Sequence, residues 1–311
     1  MKKIKLANGV LPASEISLGC MRMASLSVKE AETVVQTALD GGIDFFDHAD
    51  VYGDGLSEEV FAKAIHMSPA VREKILLQTK CGIVHNSKGE NAAFDFSKEH
   101  ILGAVEGSLK RLNTDYIDVL LLHRPDALVE PEEVAEAFNI LHSSGKVRHF
   151  GVSNQKPMQI ELLQKYVDQK LIVNQLQLSV AHASMITNGI YVNMGNDSAI
   201  DRDGSILDYC RLKNITVQAW SPFQYGMFKG PFLGNEKFPE LNQKIDEVAE
   251  AKGITNSAVA VAWILRHPAK IQPIVGTMNP QRLKDICKAS GVELTRQEWY
   301  DISTAAGYIL P

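Results

Sequence analysis

The sequence predicts an α/β fold, specifically a closed (β/α)8 TIM barrel preceded by a short N-terminal hairpin. Eight short apolar runs alternate with longer amphipathic runs in one unbroken series, which is the pattern of parallel strands and their connecting helices. No G-x-G-x-x-G follows the first run, although an open dinucleotide-binding sheet would carry one. Since no linker, repeat or low-complexity stretch interrupts the series, residues 1–311 are predicted to form a single domain.

The predicted strands are short and rich in Ile, Val, Leu and Phe without polar alternation, as expected for strands buried on both faces. They cover residues 16–18, 45–46, 75–78, 119–122, 149–152, 173–176, 217–220 and 273–275. Ahead of them, residues 3–6 and 10–11 flank the sequence Ala7-Asn8-Gly9. Because Asn-Gly is a strong turn signal, these residues predict the hairpin.

The predicted helices have recognisable start and stop signals. Ser27 and Glu30 have the spacing of a capping box, and Gly41-Gly42 ends the helix that they begin. The predicted helices cover residues 27–39, 57–65, 98–112, 132–142, 157–167, 243–252, 258–266 and 280–289. Two longer connections, residues 179–206 and 223–238, follow strands. We therefore expect both at the C-terminal mouth of the barrel, where they and the tail from residue 299 to 311 would wall the pocket.

Composition excludes several functions. The formal net charge is −5 and the charges are mixed along the chain, which argues against nucleic-acid binding. No stretch approaches the ~20 apolar residues of a membrane span. The four cysteines lie far apart, without a C-x-x-C pair or zinc spacing, so they predict free thiols and no metal site. These features predict a cytoplasmic protein.

Polar residues lie at or near the ends of successive predicted strands. The second, third and fourth strands lead to Asp47, Lys80 and His123. The later strands contribute Ser153, Asn154, Asn174, Gln175, Ser221, Gly276 and Thr277. Because the active sites of such barrels lie at the C-terminal ends of the strands, this series predicts an active site there.

Four segments resemble the aldo-keto reductase family. Residues 42–53 contain Asp47 and Tyr52 five positions apart, as in the signature around the family's catalytic Asp and Tyr. Residues 77–82 carry Lys80, residues 115–126 carry His123, and residues 145–154 match the other family signature. The resemblance covers essentially the whole chain. The Arg-Pro-Asp that follows His123 is similar to a bacterial oxidoreductase subgroup.

The resemblance implies reduction of an aldehyde or ketone to an alcohol, with NADPH as cofactor and Asp47, Tyr52, Lys80 and His123 as the catalytic residues. Tyr52 would donate the proton to a small-molecule carbonyl substrate. A phenol is a weak acid near neutrality, but a nearby ammonium lowers its pKa, and Lys80 would supply that charge. Asp47 would pair with Lys80, and His123 would orient the substrate oxygen.

The resemblance also implies the cofactor site. Ser153, Asn154 and Gln175 would hold the nicotinamide carboxamide, while Trp220, followed by Ser221, would stack on its ring. Gly276 and Thr277 would bind phosphate. Arg282 would bind the adenosine 2′-phosphate, which favours NADP over NAD because a guanidinium suits phosphate. Gly276 departs from the pattern, since many members have Lys there.

Three alternatives remain compatible with the sequence. His48 and Asp50, with nearby carboxylates, could belong to a metal hydrolase, although no second histidine-rich strand end completes a ligand set. Lys80 could form a Schiff base, as in an aldolase. The barrel could also bind NADPH as a sensor or partner-regulating protein with little turnover. The sequence leaves the oligomeric state and the identity of the carbonyl open.

Overall fold

A computed structural model describes residues 1–86 and 88–310, so Ser87 and Pro311 of the predicted domain lie outside the described residues. The strands, in chain order, are β1 (Lys3–Leu6), β2 (Leu11–Ser14), β3 (Ser17–Gly19), β4 (Phe45–Asp47), β5 (Leu76–Cys81), β6 (Ile83–His85), β7 (Asn91–Phe94), β8 (Ile117–Leu122), β9 (Val147–Ser153), β10 (Leu171–Gln177), β11 (Thr216–Trp220) and β12 (Gln272–Val275). Eight of them form a closed parallel barrel in the order β3-β4-β5-β8-β9-β10-β11-β12. The predicted TIM barrel is therefore confirmed.

The other four strands form two antiparallel hairpins. β1 and β2 form the predicted N-terminal hairpin, whose second strand continues to Ser14. Its turn has left-handed backbone at Ala7, Asn8 and Gly9, a conformation that Asn and Gly adopt most readily. The hairpin of β6 and β7 follows the third barrel strand. This hairpin was not predicted from the sequence, because β7 is exposed along its whole length and lacks the buried apolar run that marks the barrel strands.

The helices are α1 (Val28–Asp40), α2 (Leu56–Ala64), α3 (Pro69–Arg72), α4 (Lys98–Leu112), α5 (Pro131–Ser143), α6 (Pro157–Tyr166), α7 (Ser184–Ile190), α8 (Ile206–Lys213), α9 (Pro239–Lys252), α10 (Asn256–Leu265), α11 (Pro280–Cys287) and α12 (Arg296–Ala305). Each of the eight predicted helices overlaps one of these. The capping box of Ser27 and Glu30 is present at the start of α1. No described helix is long and apolar enough to cross a membrane.

The described helices include four that were not predicted from the sequence: α3, α7, α8 and α12. Of these, α7 and α8 both lie between β10 and β11, where no helix was predicted, whereas α9 and α10 lie between β11 and β12, as their predicted ranges 243–252 and 258–266 place them. The connection predicted as a loop at residues 179–206 contains α7 and a short 3₁₀ turn, Asp197–Ala199. Short helices of two turns carry too few apolar positions to give a clear period.

One large cluster of buried side chains runs from Ile16 to Ile302 and joins the barrel to its surrounding helices. The tail takes part in it, because Trp299 of α12 stacks on Trp263 of α10 with ring centroids 4.9 Å apart. A smaller cluster joins the N-terminal hairpin to the barrel interior. On this basis we propose that the chain is a single domain.

Candidate active site

The C-terminal ends of β4, β5 and β8 bring three polar side chains to one place. Asp47 is the last residue of β4, Lys80 lies next to the end of β5, and His123 directly follows β8. The turn after β4 adds Tyr52, whose ring meets the His123 ring edge-on with centroids 5.9 Å apart. All four predicted catalytic residues are thus close together in the structure.

The Lys80 ammonium lies at the centre of this group and is fully buried. Its Nζ donates to Asp47 Oδ2 at 2.8 Å, to the His48 carbonyl at 2.7 Å and to the Tyr52 hydroxyl at 3.0 Å. Three acceptors use all three of its protons. Burial alone would lower the pKa of Lys80, but the Asp47 charge and the hydrogen bonds to Asp47 and Tyr52 outweigh burial and raise it. Lys80 is therefore held as a cation, which disfavours the aldolase alternative, since a Schiff base needs a neutral amine.

Tyr52 remains protonated in this setting. Burial raises the pKa of its hydroxyl above the ordinary value, and the Asp47 charge raises it further, while Lys80 acts in the opposite direction. The predicted effect of Lys80 is present, but burial dominates. A neutral tyrosine beside an ammonium can donate a proton and have the resulting phenolate stabilised.

His123 is neutral. Burial lowers its pKa well below the ordinary value, and the charges of Lys80 and Arg124 lower it further. Its Nδ1 is buried and has no hydrogen-bond partner among the described residues. A neutral imidazole can donate a hydrogen bond to a substrate oxygen without itself being a strong acid.

Asp47 is held by a chain of buried glutamines that the sequence analysis missed as a group. Its Oδ1 accepts from Gln78 Nε2 at 2.6 Å and from Gln175 Nε2 at 3.0 Å. Both amides also donate to Gln218 Oε1, at 2.8 and 3.2 Å. Gln218 donates to Gln272 at 2.8 Å, and Gln272 donates to the Ser14 carbonyl at 2.7 Å. We call these four side chains the glutamine chain.

The predicted nicotinamide-binding residues follow on β9, β10 and β11 and are hydrogen-bonded to one another. Ser153 Oγ donates to the Gln175 carbonyl at 3.0 Å. Asn154 Nδ2 donates to Ser153 Oγ at 2.7 Å, and Trp220 Nε1 donates to Asn154 Oδ1 at 3.1 Å. Asn154 and Ser221, just past their strands, both have left-handed backbone, with φ of 58° and 51°. Such conformations are uncommon outside glycine and cluster at functional sites.

The predicted phosphate-binding segment lies between β12 and α11. Asn279 caps α11 by accepting from the Arg282 backbone N–H at 2.9 Å. Arg22, which the sequence analysis missed, donates from its guanidinium to the Gly276 carbonyl at 3.0 Å. A Cβ built on Gly276 would lie 3.3 Å from that guanidinium. A cation therefore sits beside the position where many members of the family have Lys.

One cavity of about 680 Å³ connects these groups. It is lined by eleven of the twelve predicted site residues: Asp47, Tyr52, His123, Ser153, Asn154, Gln175, Trp220, Ser221, Gly276, Thr277 and Arg282. The twelfth, Lys80, lies beneath it and reaches it through Tyr52.

The walls of the cavity differ in part from the expectation. The 223–238 connection supplies Met227 and Phe228, and the β6–β7 hairpin supplies Ile83 and His85. Among the described residues, the lining includes none from 179–206 or from the tail. The tail lies instead on the outside of the barrel, where α12 packs against α9 and Trp299 against α10.

The residues of the metal-hydrolase alternative do not converge. His48 is buried against Phe61, with ring centroids 4.6 Å apart, and its pKa falls to about 3 because of burial and the Lys80 charge. Asp44 accepts from the Ser14 backbone and pairs with Lys3. Among the residues that the structure describes, no group of three or more His, Cys, Asp or Glu could hold a metal ion.

Comparison with known proteins agrees with this architecture. The sequence model of the Aldo/keto reductase family matches residues 15–306. The chain is 38% identical over 320 residues to the uncharacterized oxidoreductase YcsN of Bacillus subtilis, covering 100% of both chains. It is 34% identical to a 6-dehydroglucose reductase of Agrobacterium fabrum, covering 98% of each. A crystal structure of an aldo-keto reductase from Klebsiella pneumoniae in complex with NADPH superimposes with a TM-score of 0.77 at 24% identity, covering 100% of this chain and 96% of the other. The resemblance predicted from the four segments is thus confirmed, and the chain belongs to the aldo/keto reductase family.

Proposed function

We propose that the protein reduces an aldehyde or ketone to an alcohol, with NADPH as hydride donor and Tyr52 as proton donor. The observation that carries this proposal is the 3.0 Å contact between the fully buried Lys80 ammonium and the Tyr52 hydroxyl, at the floor of the cavity. Related proteins support it, because the Agrobacterium relative is a reductase and the Klebsiella structure contains NADPH. The free cysteines suit a cytoplasmic location, which is part of the proposal.

The residues of the cavity fit the cofactor. Trp220 offers an aromatic face, and Ser153, Asn154 and Gln175 offer amide and hydroxyl groups beside it. At the other end of the cavity, Arg22 and Arg282 bring two positive charges to the N-terminus of α11, an arrangement that favours phosphate. When bound there, NADPH would supply a hydride to the carbonyl carbon.

The protein's own residues supply the proton and control its transfer to the substrate. His123, neutral, donates a hydrogen bond that orients the carbonyl oxygen. As that oxygen gains negative charge, Tyr52 transfers its hydroxyl proton to it and becomes a phenolate. The Lys80 ammonium, 3.0 Å away, stabilises the phenolate until solvent returns the proton. Asp47 keeps Lys80 in place and charged.

The test is a panel of aliphatic, aromatic and sugar-derived carbonyls assayed with NADPH and NADH side by side. We expect NADPH absorbance to fall with at least one class of carbonyl and the corresponding alcohol to form in equal amount. Tight NADPH binding with turnover near zero across the panel would contradict the proposal and favour the sensor alternative.

Replacing Arg282 with Ala is expected to weaken binding of NADPH far more than binding of NADH. The reason is that only NADPH carries the 2′-phosphate, and a charge-assisted contact to it contributes about 1.5–3 kcal/mol, or roughly 10- to 100-fold in Kd. Fluorescence titration with both cofactors measures this. Lys284→Ala is the matched control, because Lys284 is an exposed cation of the same helix that does not line the cavity. Equal loss for both cofactors would remove the role assigned to Arg282.

A further inference from the structure

The cavity has one more positively charged residue than its proposed phosphate-binding end accounts for. Three arginines line it: Arg22, Arg124 and Arg282. Among the described residues, its acidic lining is limited to Asp47, whose two oxygens are already engaged by Lys80 and two glutamines. Among the residues that the structure describes, the cavity lining therefore offers these arginines no carboxylate that is free to pair with them.

The three arginines lie at different ends. Arg22 contacts Gly276, and Arg282 is in the first turn of α11, so both belong to the predicted phosphate end. Arg124 directly follows His123 and lies at the carbonyl end. Its guanidinium carbon is 5.6 Å from the centroid of the Trp220 ring. Its charge lowers the pKa of His123, and Tyr52 in turn acts to raise the pKa of Arg124, so Arg124 lies near both residues.

Although its guanidinium lies over the Trp220 ring, Arg124 has no hydrogen-bond or ion-pair partner among the described residues. The nearest acid along the chain, Asp126, is used elsewhere, since it accepts from the backbone N–H groups of Phe96 at 2.9 Å and Leu128 at 2.8 Å. Burial lowers the pKa of Arg124, yet a guanidinium stays protonated in proteins. A partly desolvated charge without a counter-charge is unfavourable.

We propose that Arg124 binds a carboxylate on the substrate, so that the protein preferentially reduces aldehydes or ketones that also carry an acidic group. This inference rests on the proposed carbonyl reduction. The planar guanidinium can bind a carboxylate through two parallel hydrogen bonds. Met21, Ile83 and Met227 supply apolar lining for the carbon skeleton between the two polar ends of such a substrate. The carboxylate and the reacting carbonyl would then fix its orientation together.

The experiment compares two aldehydes of similar size, 4-carboxybenzaldehyde and its neutral methyl ester, methyl 4-formylbenzoate. For the unmodified protein we expect kcat/KM to favour the acid by about 10- to 100-fold, the range of a hydrogen-bonded charged pair. Arg124→Gln is expected to abolish that preference, mainly by raising KM for the acid, so that the ratio of kcat/KM for the acid to kcat/KM for the ester falls to about 1. Arg124→Lys keeps the charge but loses the planar group that forms two parallel hydrogen bonds, so it should retain part of the preference.

Controls separate this inference from its alternatives. Arg22→Gln removes a cation of the same cavity and should weaken NADPH binding while leaving the preference for the acid intact. If Arg124→Gln weakens NADPH binding and leaves the ratio of the two aldehydes unchanged, Arg124 serves the cofactor and the inference is overturned. Reduction of both aldehydes without preference, or a preference for neutral glyceraldehyde that Arg124→Gln abolishes, also overturns it. If no carbonyl of the panel is reduced at all, it is the proposed function that fails.

Discussion

Replacing Tyr52 with Phe is expected to lower kcat for carbonyl reduction by about 10²- to 10⁴-fold, the range that a positioned proton donor contributes. The substitution removes one oxygen atom, which accepts from Lys80 at 3.0 Å, and leaves the ring that packs edge-on against His123. NADPH binding should be unchanged, because the residues that fit the cofactor lie on other strands. Stopped-flow measurement of a single turnover, together with a fluorescence titration of NADPH, checks both parts.

The control for this variant is Tyr166→Phe, on the exposed side of α6, which should behave like the unmodified protein. Turnover that survives in Tyr52→Phe at the unmodified rate would mean that the proton comes from another group. The whole assignment of the catalytic residues would then have to be revised.

Replacing Lys80 with Met is expected to impair both activity and stability. Without the ammonium, Asp47 is left as a buried carboxylate without its counter-charge, and breaking a buried ion pair in this way typically costs about 3–5 kcal/mol of unfolding free energy. The reaction loses the charge that stabilises the Tyr52 phenolate. Chemical denaturation measures the first effect, and NADPH consumption measures the second.

A double variant distinguishes the two effects. Asp47→Asn combined with Lys80→Met removes both charges, so part of the lost stability should return while carbonyl reduction stays abolished. Lys98→Met is the matched surface control, because its pair with Glu136 at 2.9 Å is exposed and contributes little. If the double variant were no more stable than Lys80→Met alone, the buried Asp47 charge would not be the cause of the loss.

The barrel was predictable from sequence because its strands are buried on both faces and therefore stand out as short apolar runs. Elements without such a run were missed. α8 has only eight residues, and β7 is fully exposed. α12 could have been found, since Thr295 and Glu298 form a capping box like that of α1. Sequence patterns predict long, strongly periodic elements. They do not predict short elements, whose formation depends on tertiary contacts.

The convergence of the candidate site residues was predictable where they lie at strand ends in a recognisable spacing. Asp47 ends β4, Tyr52 lies in the turn that follows, and His123 follows β8. The barrel itself therefore brings these three residues close together. Arg22 and Arg124 were missed because each becomes informative only when its three-dimensional partners are known: a glycine carbonyl for Arg22, and an indole ring for Arg124. Gln218 and Gln272 were missed because single polar residues within apolar strands carry no period.

The glutamine chain gives the hydrogen bonds inside the barrel a fixed direction. Each amide donates through its nitrogen, and Gln218 and Gln272 accept through their oxygens, from the Ser14 carbonyl at one end to the Asp47 carboxylate at the other. Rotating any one of them would bring two oxygens or two NH2 groups face to face. The four amides therefore have a single cooperative arrangement, and substitutions within it should be strongly non-additive. Transplanting this candidate site into another barrel would require moving the four glutamines as one unit with Asp47, which two of them contact.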